Sequence, residues 1–184
     1  MTPELDVVSD PSFLDDLQDR PMEELRAVRS RLQSLENSLS YVRRLIQGRF
    51  DIIGGELQRR RDGGDAGDSG ELIGRLPDIL AEARGSQPGS VRPPHSLEPD
   101  AELTADLEEM LENIAAVDTL SNVVEIPEDQ LSGSLTELRS LEDRVSNHRR
   151  LLHELIDKVQ AEVTRRYTTG EATCLLYTSD AADE

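Results

Sequence analysis

The sequence predicts an all-α fold: a two-helix coiled coil made of duplicated long helices, with short helices and linkers between them. Three observations predict it. Apolar residues recur in steps of three and four across two long stretches, the pattern of a helix packed along its length against another helix. The second stretch repeats the first at a fixed spacing of 106 residues, as from Glu36 to Glu142. The chain of 184 residues contains no Trp, 3 Tyr and 2 Phe, with 36% hydrophobic and 32% charged residues. Its apolar residues are mostly Leu, Val and Ile, which suits thin helix-on-helix packing and argues against the thick core of an α/β enzyme.

Taken in order, residues 1–20 are acidic and poorly periodic and read as a disordered arm. From Pro21 the seam begins: Leu25, Val28, Leu32, Leu35, Leu39, Val42, Ile46 and Ile53, with Arg49 interrupting it. A helix over 21–61 would be ~60 Å long at about 1.5 Å per residue. Arg59, Arg60 and Arg61 complement the negative end of its dipole, while Gly54-Gly55 threatens to end it early.

Residues 62–126 read as a linker with short helices. Asp62–Gly70 (DGGDAGDSG) is a loop by composition, Glu71–Ala83 a short helix broken near Pro77, and Gly85–Pro99 a Pro/Gly/Ser-rich linker. Ala101–Ala116 is an acidic amphipathic helix carrying Leu103, Leu107, Met110, Leu111 and Ile114. The second long helix, 127–167, starts at Pro127, since proline suits a first helical turn, and carries Leu131, Leu138, Leu141, Val145, Leu152, Leu155, Val159 and Val163. Residues 168–184 form a tail, within which Cys174–Glu184 resembles the translation of a sequencing-library adapter and is set aside from the fold.

With 38 acidic against 20 basic residues the net charge is −18, or −15 without the three carboxylates of that terminal stretch. Such a balance favours a basic partner over direct binding to nucleic acid or to an anionic membrane surface. No apolar run approaches the ~18 residues of a membrane span, and Met1–Asp10 lacks the regions of a signal peptide, so a cytoplasmic location is expected. The one cysteine lies in the excluded tail, which leaves no disulfide, Cys-based metal site or Cys nucleophile.

The repeat preserves polar residues as well as seam residues. Ser34-Leu35-Glu36 matches Ser140-Leu141-Glu142, Arg43-Arg44-Leu45 matches Arg149-Arg150-Leu151, Glu56 matches Glu162, and Arg59-Arg60 matches Arg165-Arg166. Shared Leu periodicity would reproduce the seam but not these, so an internal duplication is the stronger reading. Within it, Glu36, Ser40, Arg43, Gln47 and Asp51 fall inside an arc of roughly 80° on one helix face. Glu142, Ser146, Arg149, His153 and Asp157 repeat the spacing, with His in place of Gln.

Two readings of these stripes stand side by side. Alternating Glu and Arg is an ordinary solvated helix face. Retained spacing in both copies points instead to a ligand, because a solvated face tolerates scrambling. The chemistry points to guanine: arginine pairs bidentately with its O6 and N7, and a carboxylate accepts from its N1–H and exocyclic amine. Ser, Gln, Arg44 and Arg150 suit phosphate oxygens and the remaining base edges, and two copies suit a symmetric ligand with two guanines and two phosphates.

The pattern E-x3-S-x2-R-x3-Q-x3-D resembles the cyclic-di-GMP signature of the RsiG family, anti-sigma factors of the actinobacterial sporulation sigma factor WhiG. The likeness covers 21–61 and 127–167. It implies an antiparallel coiled coil, cyclic-di-GMP bound on the helices, and a sigma factor held inactive only when the nucleotide is present. Glu36, Ser40, Arg43, Gln47 and Asp51 carry the first motif, and Glu142, Ser146, Arg149 and Asp157 the second, with His153 departing from the pattern. The pairs 36/157, 40/153 and 47/146 share one antiparallel register that would bring the two ladders together.

Other chemistry is poorly supported. His95, His148 and His153 are scattered, with His148 at a seam-equivalent position, and Glu108-Glu109 has no partnered base. No Gly-rich phosphate loop, nucleophile motif or zinc spacing occurs, so an enzyme is not expected. The competing class is a structural or adaptor coiled coil that binds no nucleotide.

Overall fold

The computed structural model describes residues 3–63 and 99–171. Its frame is a pair of long helices, α2 (Met22–Arg61) and α5 (Glu128–Thr169). Both follow an extended proline, Pro21 at φ −58°, ψ 152° and Pro127 at φ −56°, ψ 145°. Pro lacks an N–H, and its ring fixes φ near the helical value, so it can precede a helix without losing a bond. Glu23 and Glu24 open α2, Glu128 and Asp129 open α5, and arginines close both, all signs matching the helix dipole. Helix α5 stops at Gly170, whose φ of 78° is a left-handed conformation that a Cβ would strain.

The two helices run antiparallel. The start of α2 meets the end of α5, where Arg29 donates to Gln160 at 2.6 Å, and their middles meet where Arg43 donates to Glu142 at 2.8 Å. The seam between them is buried as the periodicity predicts, from Leu25 through Leu32, Leu35, Leu39, Val42, Ile46 and Ile53 on α2. Each of these except Val42 has a buried counterpart on α5 one repeat later, such as Leu32 with Leu138 and Ile46 with Leu152. Each fully buried Leu or Ile contributes about 1.5–3 kcal/mol relative to exposure. Val42 is matched by His148, which is half-buried. The Gly54-Gly55 pair does not break α2: Ile53 and Leu57 are buried on either side and hold it in the seam.

Helix α3 (Ala101–Ile114) covers one side of this hairpin. Its N-cap Asp100 accepts from the N–H groups of Glu102 and Leu103, and Leu103, Thr104, Leu107 and Leu111 are buried. Two α2 residues fix its ends. Ser38, fully buried, accepts from the Asp100 N–H at 3.0 Å, while its own hydroxyl donates to Ser34 O at 3.1 Å. Arg49 donates to the Ala115 carbonyl at 2.7 Å and pairs with Glu112. The interruption in the seam is therefore a buried anchor for α3. Beyond it come α4 (Val117–Ser121) and a 3-10 turn, Val123–Glu125.

The acidic N-terminal segment differs from the disordered arm expected of it. Pro3–Val8 forms α1, with Leu5 and Val8 buried, and Phe13, Leu14 and Leu17 of the following turns pack on the same core. Apolar residues too few and too irregular to show a period are enough to dock a short helix and turns on an existing core. The expected helix Glu71–Ala83, the greater part of the loop before it and the linker after it, and residues beyond 171 lie outside the described residues. Helix α5 runs two residues past its expected end at Tyr167.

The duplication reaches past the helices. Near the end of α2, buried Glu56 accepts from Arg59 (2.7 Å) and Arg60 (2.6 Å), and Arg60 donates onward to the carbonyls of Val123 (3.1 Å) and Val124 (3.0 Å). Near the end of α5, Glu162 accepts from Arg165 (2.8 Å) and Arg166 (2.7 Å), and Arg166 reaches the carbonyls of Leu17 (3.1 Å) and Gln18 (2.8 Å). Each helix thus clamps the segment that leads into the other, and the two clamps are related by the same repeat.

Candidate functional site

The motif residues lie on the side of α2 away from α3. Ser38 and Arg49, which hold α3, stand two positions after Glu36 and Gln47, about 200° around a helix of 3.6 residues per turn. Among the described residues the motif face is therefore left open, and its side chains are half-buried or exposed: Glu36, Ser40, Arg43, Gln47, Asp51, Glu142, Ser146 and Arg149 half-buried, Arg44, Arg150, His153 and Asp157 exposed.

At the centre the two copies interlock. Glu36 Oε1 accepts from Ser40 Oγ of its own helix at 2.7 Å and from Arg149 Nη2 and Nε of the opposite helix at 2.8 and 3.1 Å. His153 Nε2 lies 3.4 Å from the same oxygen. The repeat generates the partner arrangement: Glu142 Oε1 accepts from Ser146 Oγ at 2.8 Å and from Arg43 Nε at 2.8 Å, and Arg43 Nε also donates to Ser146 Oγ at 3.1 Å.

The partners differ from the register drawn from sequence. Glu36 faces Arg149 and His153, one to two turns short of Asp157, and Ser146 faces Arg43, not Gln47. Charge decides this: long arginine side chains span a turn to reach a carboxylate, a choice that a count of opposed positions does not contain. Gln47, Asp51, Asp157, Arg44 and Arg150 have no hydrogen-bond or ion-pair partner among the described residues. Asp157 borders an open groove along α5 with Gln160, Thr164 and Thr168.

Electrostatics follow the geometry. Burial raises the Glu36 carboxyl, but the Ser40 and Arg149 hydrogen bonds outweigh it and hold Glu36 below the usual carboxylate range. Glu142 is held down in the same way by Arg43 and Ser146. Asp51 is pushed up by its burial, with no cation paired to it among the described residues. The centre is thus ionised and paired, and the lower end of the first ladder carries an acceptor without a donor among the described residues.

Sequence reasoning missed the anchoring roles of Ser38 and Arg49, which no repeat marks: the positions one repeat later are Arg144 and Leu155. The sequence marks the Glu56 and Glu162 groups as part of the duplication and assigns Arg59, Arg60 and Arg61 to the helix dipole. Their identical spacing was the signal that a shared contact lay behind them.

A family model described as RsiG-like matches residues 11–80 and 117–182. The chain belongs to the RsiG-like family. The two matched segments start one repeat apart, and each holds one complete motif, so family and duplication divide this RsiG-like chain at the same places. The second segment runs into the terminal stretch that resembles adapter sequence. No curated protein matches the chain. RsiG-like proteins are anti-sigma-type regulators and not an enzyme family. No helix among the described residues is long and apolar enough to cross a membrane.

Proposed function

We propose that this RsiG-like protein is a nucleotide-dependent anti-sigma factor. Cyclic-di-GMP binds on the open face made by Glu36, Ser40, Arg43, Gln47, Asp51, Glu142, Ser146, Arg149, His153 and Asp157, with Arg44 and Arg150 toward the phosphates. The loaded face then captures a WhiG-like sporulation sigma factor and keeps it from transcription. The observation that carries this reading is the meeting of the two motifs on one face that no described element covers, where Glu36–Arg149 and Glu142–Arg43 repeat each other at 2.8 Å. A twofold arrangement of guanidinium and carboxylate fits a ligand that itself carries two guanines and two phosphates.

The donor and acceptor set fits the ligand. Among the described residues Arg43 is bonded through its Nε, which leaves both Nη nitrogens for a base edge. Asp51, half-buried and without a donor among the described residues, is an acceptor for N1–H and exocyclic amine protons. For the nucleotide to arm the protein it must bind the sigma complex more tightly than the free components, and the sigma factor must in turn raise nucleotide affinity by the same factor.

Calorimetry with cyclic-di-GMP, alone and with the sigma factor, tests this reading on wild type and on Arg43→Ala/Arg149→Ala. Loss of heat in the double variant is expected. Equal affinity in both rejects the site. The adaptor reading has one observation in its favour, since the charged groups already satisfy one another across the hairpin. It predicts that a thermal-shift screen against cyclic dinucleotides leaves the melting temperature unmoved.

A further inference from the structure

The motif is written along each helix, but its contacts run between helices. Among the described residues every cross-helix contact at the centre joins the carboxylate or hydroxyl of one copy to the guanidinium or imidazole of the other. Among the same residues no hydrogen bond or ion pair joins Glu36 to Arg43 or Glu142 to Arg149, although each pair shares a helix and a motif; Arg149 adds only a lesser Coulombic pull on Glu142. In each half a serine hydroxyl donates to the same carboxylate oxygen that the opposite arginine uses, 2.7 Å for Ser40 and 2.8 Å for Ser146. The carboxylates are thus fixed from their own helix and hold the arginine of the other.

Both arginines are held from the inside. Arg43 is gripped at Nε and Arg149 at Nε and Nη2, so the end of each planar fork, with the Nη1 protons and a second Nη2 proton, faces away from its anchor. A guanidinium has five N–H donors in fixed geometry, and anchoring one edge aims the other. Pre-aimed donors bind more tightly because less side-chain freedom is lost on contact.

We infer that Glu36 and Glu142 are positioning residues, each acting through the arginine of the opposite helix, so that the two half-sites are crossed: Glu36, Ser40, Arg149 and His153 form one, and Glu142, Ser146 and Arg43 form the other. This rests on the nucleotide-binding reading above and assigns roles within it. It also places the departure of His153 from the motif on the half-site of Arg149, where its imidazole shares the oxygen that holds the guanidinium.

Two measurements on the full chain test it. The first needs no ligand: the Nε–H resonance of Arg149 in nitrogen-15 NMR should be protected from solvent exchange in wild type and in Glu142→Gln, and lose that protection in Glu36→Gln. The second is a set of double-mutant cycles on cyclic-di-GMP affinity. Removing a charge-assisted bond that aims a donor should cost about 10–100-fold. Glu36→Gln should show that loss in wild type and in an Arg43→Ala background, and almost none in an Arg149→Ala background. The same loss in the Arg149→Ala background would mean that Glu36 touches the nucleotide directly and overturns the inference, as would an Arg149 signal indifferent to Glu36→Gln. If wild type binds no nucleotide, the binding reading falls, while the ligand-free NMR result still decides whether Glu36 holds Arg149.

Discussion

Glu36 and Arg149 stand 113 residues apart in the chain and 2.8 Å apart in the fold. Glu142 and Arg43 repeat the contact at 2.8 Å. These two pairs cross the hairpin at its middle, on the face that α3 leaves open, and join the two copies of the repeat.

Because both pairs are partly exposed, they contribute little to stability, about 0–1 kcal/mol each. The Arg43→Ala/Arg149→Ala variant should remain folded, with helical circular dichroism unchanged and chemical unfolding shifted by no more than about 2 kcal/mol. Collapse of the helical signal would show that the ladder is a structural lock.

The seam behaves oppositely. Leu39 is fully buried between the long helices, and Leu39→Ala removes its apolar contacts and leaves a void. A loss of about 2–5 kcal/mol is expected in urea unfolding. A loss below about 1 kcal/mol would mean that the hairpin repacks around the gap.

Arg49 ties α3 to α2 from a buried position, so Arg49→Leu leaves the Ala115 carbonyl without its donor and Glu112 without its cation. The expected cost is about 1–3 kcal/mol. Hydrogen exchange should localise it: amides of 101–114 should exchange faster, while the centre of α5 stays protected. Uniform acceleration along both long helices would contradict the assignment of Arg49 to α3.

His148 occupies the place that Val42 holds in the other repeat. Desolvation, with Arg144 nearby, keeps its imidazole below the ordinary range against a smaller opposing pull from Asp6. A depressed value in the folded state means that the unfolded chain binds the proton more readily. Stability conferred by the neutral ring is therefore present above about pH 6.5 and lost as pH falls through the lowered value. His148→Val should flatten the dependence of melting temperature on pH between 7 and 5. An unchanged slope would place that dependence on other groups.

Glu162 gives a second window at lower pH. Hydrogen bonds from Arg165 and then Arg166 push its carboxyl down to about 2. The folded value lies below the unfolded one, so the stability it lends is present above about pH 4.5 and is lost as pH falls toward 2. Glu162→Gln should unfold more readily at pH 7 and differ less from wild type at pH 3. A difference that is constant across this range would argue against the ionised clamp.

The two long helices, their common seam and their duplication are legible in the residue order, because a helix buried along one side must repeat its apolar residues every three to four positions, and nothing else in the chain competes with forty residues of that pattern. The same residue order marks the polar residues of the candidate site, since their spacing survives in both copies. The tertiary structure alone decided which of them meet. Glu36 finds Arg149 because two antiparallel helices place the carboxylate of one copy within reach of the guanidinium of the other, a distance set by packing and side-chain length. Packing likewise decided that residues 3–20 fold, that Arg49 anchors a third helix, and that Arg60 and Arg166 clamp the approaches to the opposite helices. Those contacts join segments with no common period, so their partners are fixed only once the hairpin has brought them together.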